Sequence, residues 1–166
     1  MTDQQIARHV IDAGFVGDDR AVGVAIVLAE SSGRTDARGD VGLMTDKWGP
    51  SIGLFQIRSL HVEKGTGGTR DELANLDPFT NARHARTIFL EAGGWRPWST
   101  FLHDTYLQFL DRGRAAVSGT SGDAVVVTTD GDVHIVRAGE TLSGIAAAHG
   151  RTMQQLAERR FESPSA

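Results

Sequence analysis

At 166 residues the chain has room for one ordinary domain and a small additional module. Its 17 Lys/Arg and 21 Asp/Glu give a net charge of −4, with no basic patch of the kind that binds nucleic acid. The absence of cysteine excludes disulfides, thiol nucleophiles and thiolate metal sites together. From the N-terminus, Gln4 to Ala13 reads as a short helix with Ile6, Val10 and Ile11 on one side, stopped at Gly14. Nothing in Met1-Thr2-Asp3-Gln4-Gln5 resembles the basic start of an export signal, and no signal peptide is expected. Asp18 is the expected N-cap of the next helix, which runs apolar on nearly all sides from Ala21 to Ala29 and is therefore a buried central helix. This longest apolar run is too short to span a bilayer. It ends in Glu30, followed at once by Ser31-Ser32-Gly33.

Gly33 to Pro50 is polar and Gly-rich, which predicts a long loop or a short irregular sheet. Gly53 to Leu60 is apolar around Gln56 and fits a strand or a helix. Lys64 to Thr69 is a Gly/Thr loop without the Gly-Lys-Ser/Thr ending of a phosphate loop. Asp77 caps the next helix with Pro78 at its first position. That helix reaches Ala92, stops at Gly93-Gly94, and carries Ala82, Ala85, Ile88 and Phe89 on its core face. A last helix is expected from about Thr100 to Arg112. Gly113 to Gly122, rich in Ala, Gly and Ser, reads as a linker. Val125 to Val136 then shows a β-hairpin pattern around Asp130-Gly131, followed by two short helices ending near Arg160. The expected division is a mainly α domain at 1–112, a linker at 113–123, and a small α+β module at 124–166.

Three ordered motifs carry a resemblance. They are Glu30-Ser31-Ser32-Gly33, then Ser51-Ile52-Gly53-Leu54-Phe55-Gln56-Ile57, then Asp77-Pro78-Phe79-Thr80-Asn81. Over roughly residues 4 to 110 the chain resembles the lytic transglycosylases of the goose-type lysozyme superfamily. The resemblance implies a lysozyme-like fold and a helix start at Gly53. It also implies cleavage of peptidoglycan between N-acetylmuramic acid and N-acetylglucosamine, with Glu30 as the acid and a 1,6-anhydro product. The tail resembles a LysM module, a small glycan-binding fold, through Val136, Gly139, Thr141, Leu142, Ile145, Ala146, Gly150, Thr152 and Leu156. By that resemblance Gly139, Thr141 and Leu142 contact glycan. After residue 156 the pattern departs from LysM: the Asn and second strand of that family are not seen. Either the module is shortened, or Val125 to Thr129 pairs with Val133 to Val136 in place of that strand.

The residues themselves give Glu30 a chemical rationale. A carboxyl group leaving an apolar helix into a polar loop is half desolvated, which raises its pKa and suits a proton donor. The ordinary alternative is a surface Glu in a last helical turn. Hydrolysis would usually need a second carboxylate, and Asp36, Asp40 and Asp46 follow in the loop; Asp40 and Asp46 are the candidates, against solvated loop aspartates. Ser51 and Gln56 are expected to hydrogen-bond the substrate acetamido group or orient Glu30, unless Gln56 only satisfies backbone groups. Asn81 is a further substrate candidate, against a helix-terminus role. Trp95 and Trp98 would line a saccharide groove or pack in the core; Trp48 also lies by a loop. The six histidines show no metal-ligand spacing, so no metal and no cofactor are expected. The expected partner is peptidoglycan, the expected state a monomer, and the expected place of action the bacterial cell wall, as a phage lysin or virion component or by non-classical release. A non-catalytic wall-binding or virion protein on a lysozyme-like fold is the competing class.

Overall fold

The computed structural model describes residues 1–120, 126–129 and 132–135. Helix α1 (Asp3–Asp12) opens with a reciprocal cap: Gln5 N–H donates to Thr2 Oγ1 (3.2 Å) and Thr2 N–H donates to Gln5 Oε1 (2.9 Å). It turns Ile6, Ala7 and Val10 inward against α2 (Asp19–Ser31). In α2 every residue from Gly23 to Leu28 is buried, as the unbroken apolar run requires. A Cβ at Gly23 would lie 3.2 Å from both Val10 Cγ1 and Trp95 Cη2, so this glycine allows the close approach of α1 and Trp95. Asp18 occupies the N-cap position but its side chain makes no capping bond, because its backbone is already helical (φ −66°, ψ −23°). The helix stops at Ser32, whose left-handed backbone (φ 54°) turns its N–H onto Leu28 O at 3.1 Å.

The polar segment after α2 builds a three-stranded antiparallel sheet in the order β1 (Arg38–Gly39), β2 (Trp48–Ile52), β3 (Ile57–Leu60). The helix start expected at Gly53 is instead a tight turn leading into β3. Gly53 (φ 74°) and Gln56 (φ 47°) both have left-handed backbone, which no helix continues through. A side chain at Gly53 would meet Asn75 O at 2.4 Å. In β3, Ile57 and Ser59 are buried while Arg58 and Leu60 are half-buried, the alternation of a strand.

Helix α3 (Pro78–Ala92) follows its predicted limits. Asp77 accepts the Thr80 N–H at 2.8 Å, Pro78 fills the first position, and Gly93 (φ 67°) ends the helix. The single helix expected over Thr100 to Arg112 is broken. It divides into α4 (Ser99–Leu102), a 3-10 segment at Thr105–Phe109, and α5 (Leu110–Thr120), with Asp104 in left-handed backbone (φ 57°) at the break. Gly113 to Thr120, expected as linker, is helical. Gly113 is a packing residue there, since a Cβ would lie 2.3 Å from Ala21 O.

Phe15, Phe55, Phe89, Trp95 and Trp98 form an aromatic centre between α2, α3 and the sheet turn. Trp95 stacks on Phe15 at 4.9 Å and meets Phe89 and Trp98 edge-on at 4.7 and 5.3 Å. The domain is thus mainly helical with a small sheet. The chain divides into two compact units, Met1–Val117 and Ser118–Ala166. In the second, β4 (Val126–Thr129) pairs antiparallel with β5 (Asp132–Ile135), Val126 opposite Ile135, so these two strands form the expected hairpin. The Asp130-Gly131 turn, the two helices expected in the tail, and Gly139, Thr141 and Leu142 lie outside the described residues.

Candidate active site

Glu30 sits one residue before the end of α2, where the helix leaves the core. Its side chain is half-buried and borders a cleft of about 240 Å³ that also includes Asp40, Ser51, Gln56, Arg58, Arg70 and Trp98. The Thr100 hydroxyl donates to Glu30 Oε1 at 2.7 Å. Burial raises the Glu30 pKa above the ordinary carboxylate value. The bonds from Thr100 pull it back down in part, and the negative charge of Asp40 pushes it up. The result is a carboxyl group of raised pKa in a concave site, oriented by the Thr100 hydroxyl. A raised pKa beside a cleft suits a general acid, and the Thr100 bond favours the ionised form that follows proton transfer.

The opposite wall comes from the sheet. Asp40 has left-handed backbone (φ 54°) just after β1. Its Oδ2 accepts the Ser51 hydroxyl at 2.5 Å and lies 3.2 Å from Arg58 Nη1. Arg58 also donates to Leu43 O, so one side chain holds the 40–43 segment to β3. Asp40 therefore enters the same cleft as Glu30. Asp36 and Asp46 are exposed and do not line it.

Gln56 lines the cleft, but its amide nitrogen is engaged below it. Nε2 donates to Gly53 O (2.8 Å) and Ala37 O (3.1 Å), which ties the turn to the chain before β1 and supports the left-handed backbone of Gln56 itself. Its Oε1 packs on Gly39, where a Cβ would lie 2.3 Å away. Ser51 is in the cleft with its hydroxyl on Asp40.

Two expected substrate residues are placed elsewhere. Asn81 is fully buried and outside the cleft lining. Its Oδ1 accepts Phe55 N–H (2.9 Å) and its Nδ2 donates to Ile52 O and Asn75 O (both 3.0 Å), so it clamps the β2–β3 turn from the core side. Trp95 is 4 % exposed, and its Nε1 donates to Asp19 Oδ1 at 2.8 Å within the aromatic centre. Trp98, also nearly buried, does border the cleft, with Nε1 bonded to Phe55 O at 2.8 Å. Arg58 and Arg70, which line the cleft, and Thr100, which bonds Glu30, lie outside the candidates that the motifs suggest. Arg58 carries a weak signal in the alternating β3 pattern; Thr100, 70 residues from Glu30, carries none. Among the described residues no group of three His, Cys, Asp or Glu is placed to hold a metal ion.

The family comparisons agree with this architecture. Residues 7–100 match the model of a lysozyme-like domain, and residues 134–159 match a LysM domain. The first match covers more than half of the sequence, and the chain belongs to the lysozyme-like domain family. No curated protein and no solved structure matches it. A lysozyme-like domain joined to LysM is a combination for peptidoglycan binding and glycoside cleavage at the cell wall. Among the described residues no helix is long and apolar enough to cross a membrane.

Proposed function

We propose that this protein cleaves the glycan strand of peptidoglycan between N-acetylmuramic acid and N-acetylglucosamine, with Glu30 as acid and then base. The carrying observation is the half-buried Glu30 carboxyl, raised in pKa and held by Thr100 at the edge of a cleft. Glu30 gives its proton to the glycosidic oxygen as the bond to the anomeric carbon breaks. The acetamido oxygen of the muramoyl residue closes on that carbon. The ionised Glu30 then takes the proton of the 6-hydroxyl, whose oxygen displaces the acetamido group and leaves a 1,6-anhydro end. The tail, through Gly139, Thr141 and Leu142, would hold the enzyme on the wall.

A second reading has its own support. Asp40 lines the same cleft, oriented by Ser51 and Arg58, where it is available to direct a water in a hydrolytic, muramidase-type reaction. Mass spectrometry of digested peptidoglycan separates the two: anhydro-muropeptides support the first, reducing ends the second. In either case Glu30→Gln should stay folded and lose about 10²–10⁴-fold in turnover. Undiminished cleavage by that variant would refute the assignment. Wild-type protein that binds walls but releases no fragments would mark it as a non-catalytic wall binder.

A further inference from the structure

Two arginines line the cleft, and they are not equivalent. Arg58 is occupied by Asp40 and by the carbonyls of Asp40 and Leu43. Arg70 has no carboxylate partner for its guanidinium among the described residues. It is nevertheless firmly placed. Its backbone N–H donates to Glu63 Oε2 (2.7 Å), its carbonyl accepts the Leu60 N–H (2.9 Å), and its Nη1 donates to Arg58 O (3.0 Å). Its guanidinium carbon lies 5.3 Å from the centre of the Trp48 ring. A guanidinium over an indole is attracted to the ring face, a contact that takes up none of its N–H donors. Nη1 is used, and no described residue accepts from Nε or Nη2.

A structural role for Arg70 would need only the bond to Arg58 O. A guanidinium placed in the cleft by the Trp48 ring and by Arg58 O, with further N–H donors that no described residue takes up, is what recognition of a carboxylate requires, because an arginine fork binds a carboxylate through paired hydrogen bonds. We infer that Arg70, backed by Trp48, is a subsite for a carboxylate carried on the muramoyl side chain, and that it makes the cleft select acidic glycan over neutral N-acetylglucosamine polymer. This rests on the glycan-cleavage function proposed above.

The test compares wild type, Arg70→Gln and Arg70→Lys on three soluble glycans. One carries peptide stems. One is peptide-free with bare lactyl carboxylates. One has those carboxylates converted to neutral amides. Wild type should favour an acidic substrate over the neutral one by about tenfold in kcat/KM, chiefly through KM, and less so as salt rises. Whichever acidic substrate shows the preference identifies the lactyl or the stem carboxylate as the ligand. Arg70→Gln should bring the ratio near one, and Arg70→Lys should retain part of it, since a lysine keeps the charge but not the fork. Equal cleavage of all three by wild type overturns the subsite and leaves glycan cleavage standing. An Arg70→Gln loss that falls equally on acidic and neutral substrates also overturns it and makes Arg70 a structural residue. Wild type inactive on all three overturns the cleavage function itself and the subsite with it.

Discussion

Replacing Asp71 by asparagine removes one charge while keeping the shape of a side chain that organises the segment bearing Arg70. Asp71 is 1 % exposed. Its Oδ1 accepts N–H bonds from Gly65 (2.9 Å) and Leu73 (2.8 Å), and its Oδ2 accepts from Gly67 (2.7 Å). Burial alone would raise its pKa. The backbone N–H donors of Gly65, Gly67, Leu73 and Ala74 outweigh that and bring it down from 3.8 to about 2. The difference corresponds to about 2 kcal/mol of folding stability. Because the folded-state pKa is the lower one, this contribution is complete above the unfolded value and is lost as the pH falls through about 2. The asparagine variant should therefore be less stable by about 2 kcal/mol at pH 7 and by only about 1 kcal/mol at pH 3. Its Oδ1 can keep the Gly65 and Leu73 bonds, but its Nδ2 faces the Gly67 N–H as donor against donor and adds a pH-independent loss of about 1 kcal/mol at both pH values, so the difference between them carries the test. Urea unfolding followed by tryptophan fluorescence is the suitable assay. Trp48, Trp95 and Trp98 all lie in Met1–Val117, so the signal reports on that unit alone. With a slope of about 1–3 kcal/mol per molar urea, the midpoint at pH 7 should fall by about 1 M. Glu72, lowered by its bond to Arg38, and Asp77, lowered by Thr80, also contribute acid sensitivity, but they cancel in the comparison of the two proteins. A loss that is the same at pH 7 and pH 3, or no loss at all, would refute the reasoning.

Thr100→Val removes a hydroxyl whose bond favours the ionised form of Glu30, so the Glu30 pKa should rise further. A general acid works while protonated, so the high-pH limb of the cleavage profile should move to higher pH; an unmoved or lowered limb in a folded variant would contradict the role given to this bond. Asn81→Ala leaves the Phe55 N–H and the Ile52 and Asn75 carbonyls without their partner in the core, and should cost about 2–4 kcal/mol in urea unfolding with KM unchanged in the folded fraction. A manyfold rise in KM at wild-type stability would return Asn81 to the substrate site.

Where the controlling forces are local, the sequence is a good guide. The apolar run before Glu30 makes α2 a buried helix, and Asp77, Pro78 and Gly93 mark the limits of α3, because caps and burial periodicity act within a few residues. The turn at Gly53–Gln56 was not legible in this way. Its apolar residues fit strand or helix equally well, and the choice depends on Asn81 and Ala37, which reach it through the fold. Trp95 and Trp98 are also alike in Gly94-Trp95-Arg96-Pro97-Trp98, yet one is wholly in the core and the other also borders the cleft. Position along a short polar stretch does not say which face of an indole meets packed neighbours.

By itself the sequence determined that an acidic side chain would leave a buried helix into a polar, Gly-rich segment, and that the motifs around it are those of a lysozyme-like domain followed by LysM. The tertiary structure alone decided what that acid meets. Thr100 reaches Glu30 across 70 residues, Asp40 joins it from β1 with Ser51 and Arg58, and Arg70 comes to the cleft on a segment organised by Asp71. The bond between Thr100 and Glu30 has no local signature. It requires two distant stretches to be brought together by the packing of Trp98 and its aromatic neighbours beside α2, whereas the Asp40 contacts follow from the pairing of the strands; hydrogen bonds and charge act only over the few ångströms that remain after that packing is complete.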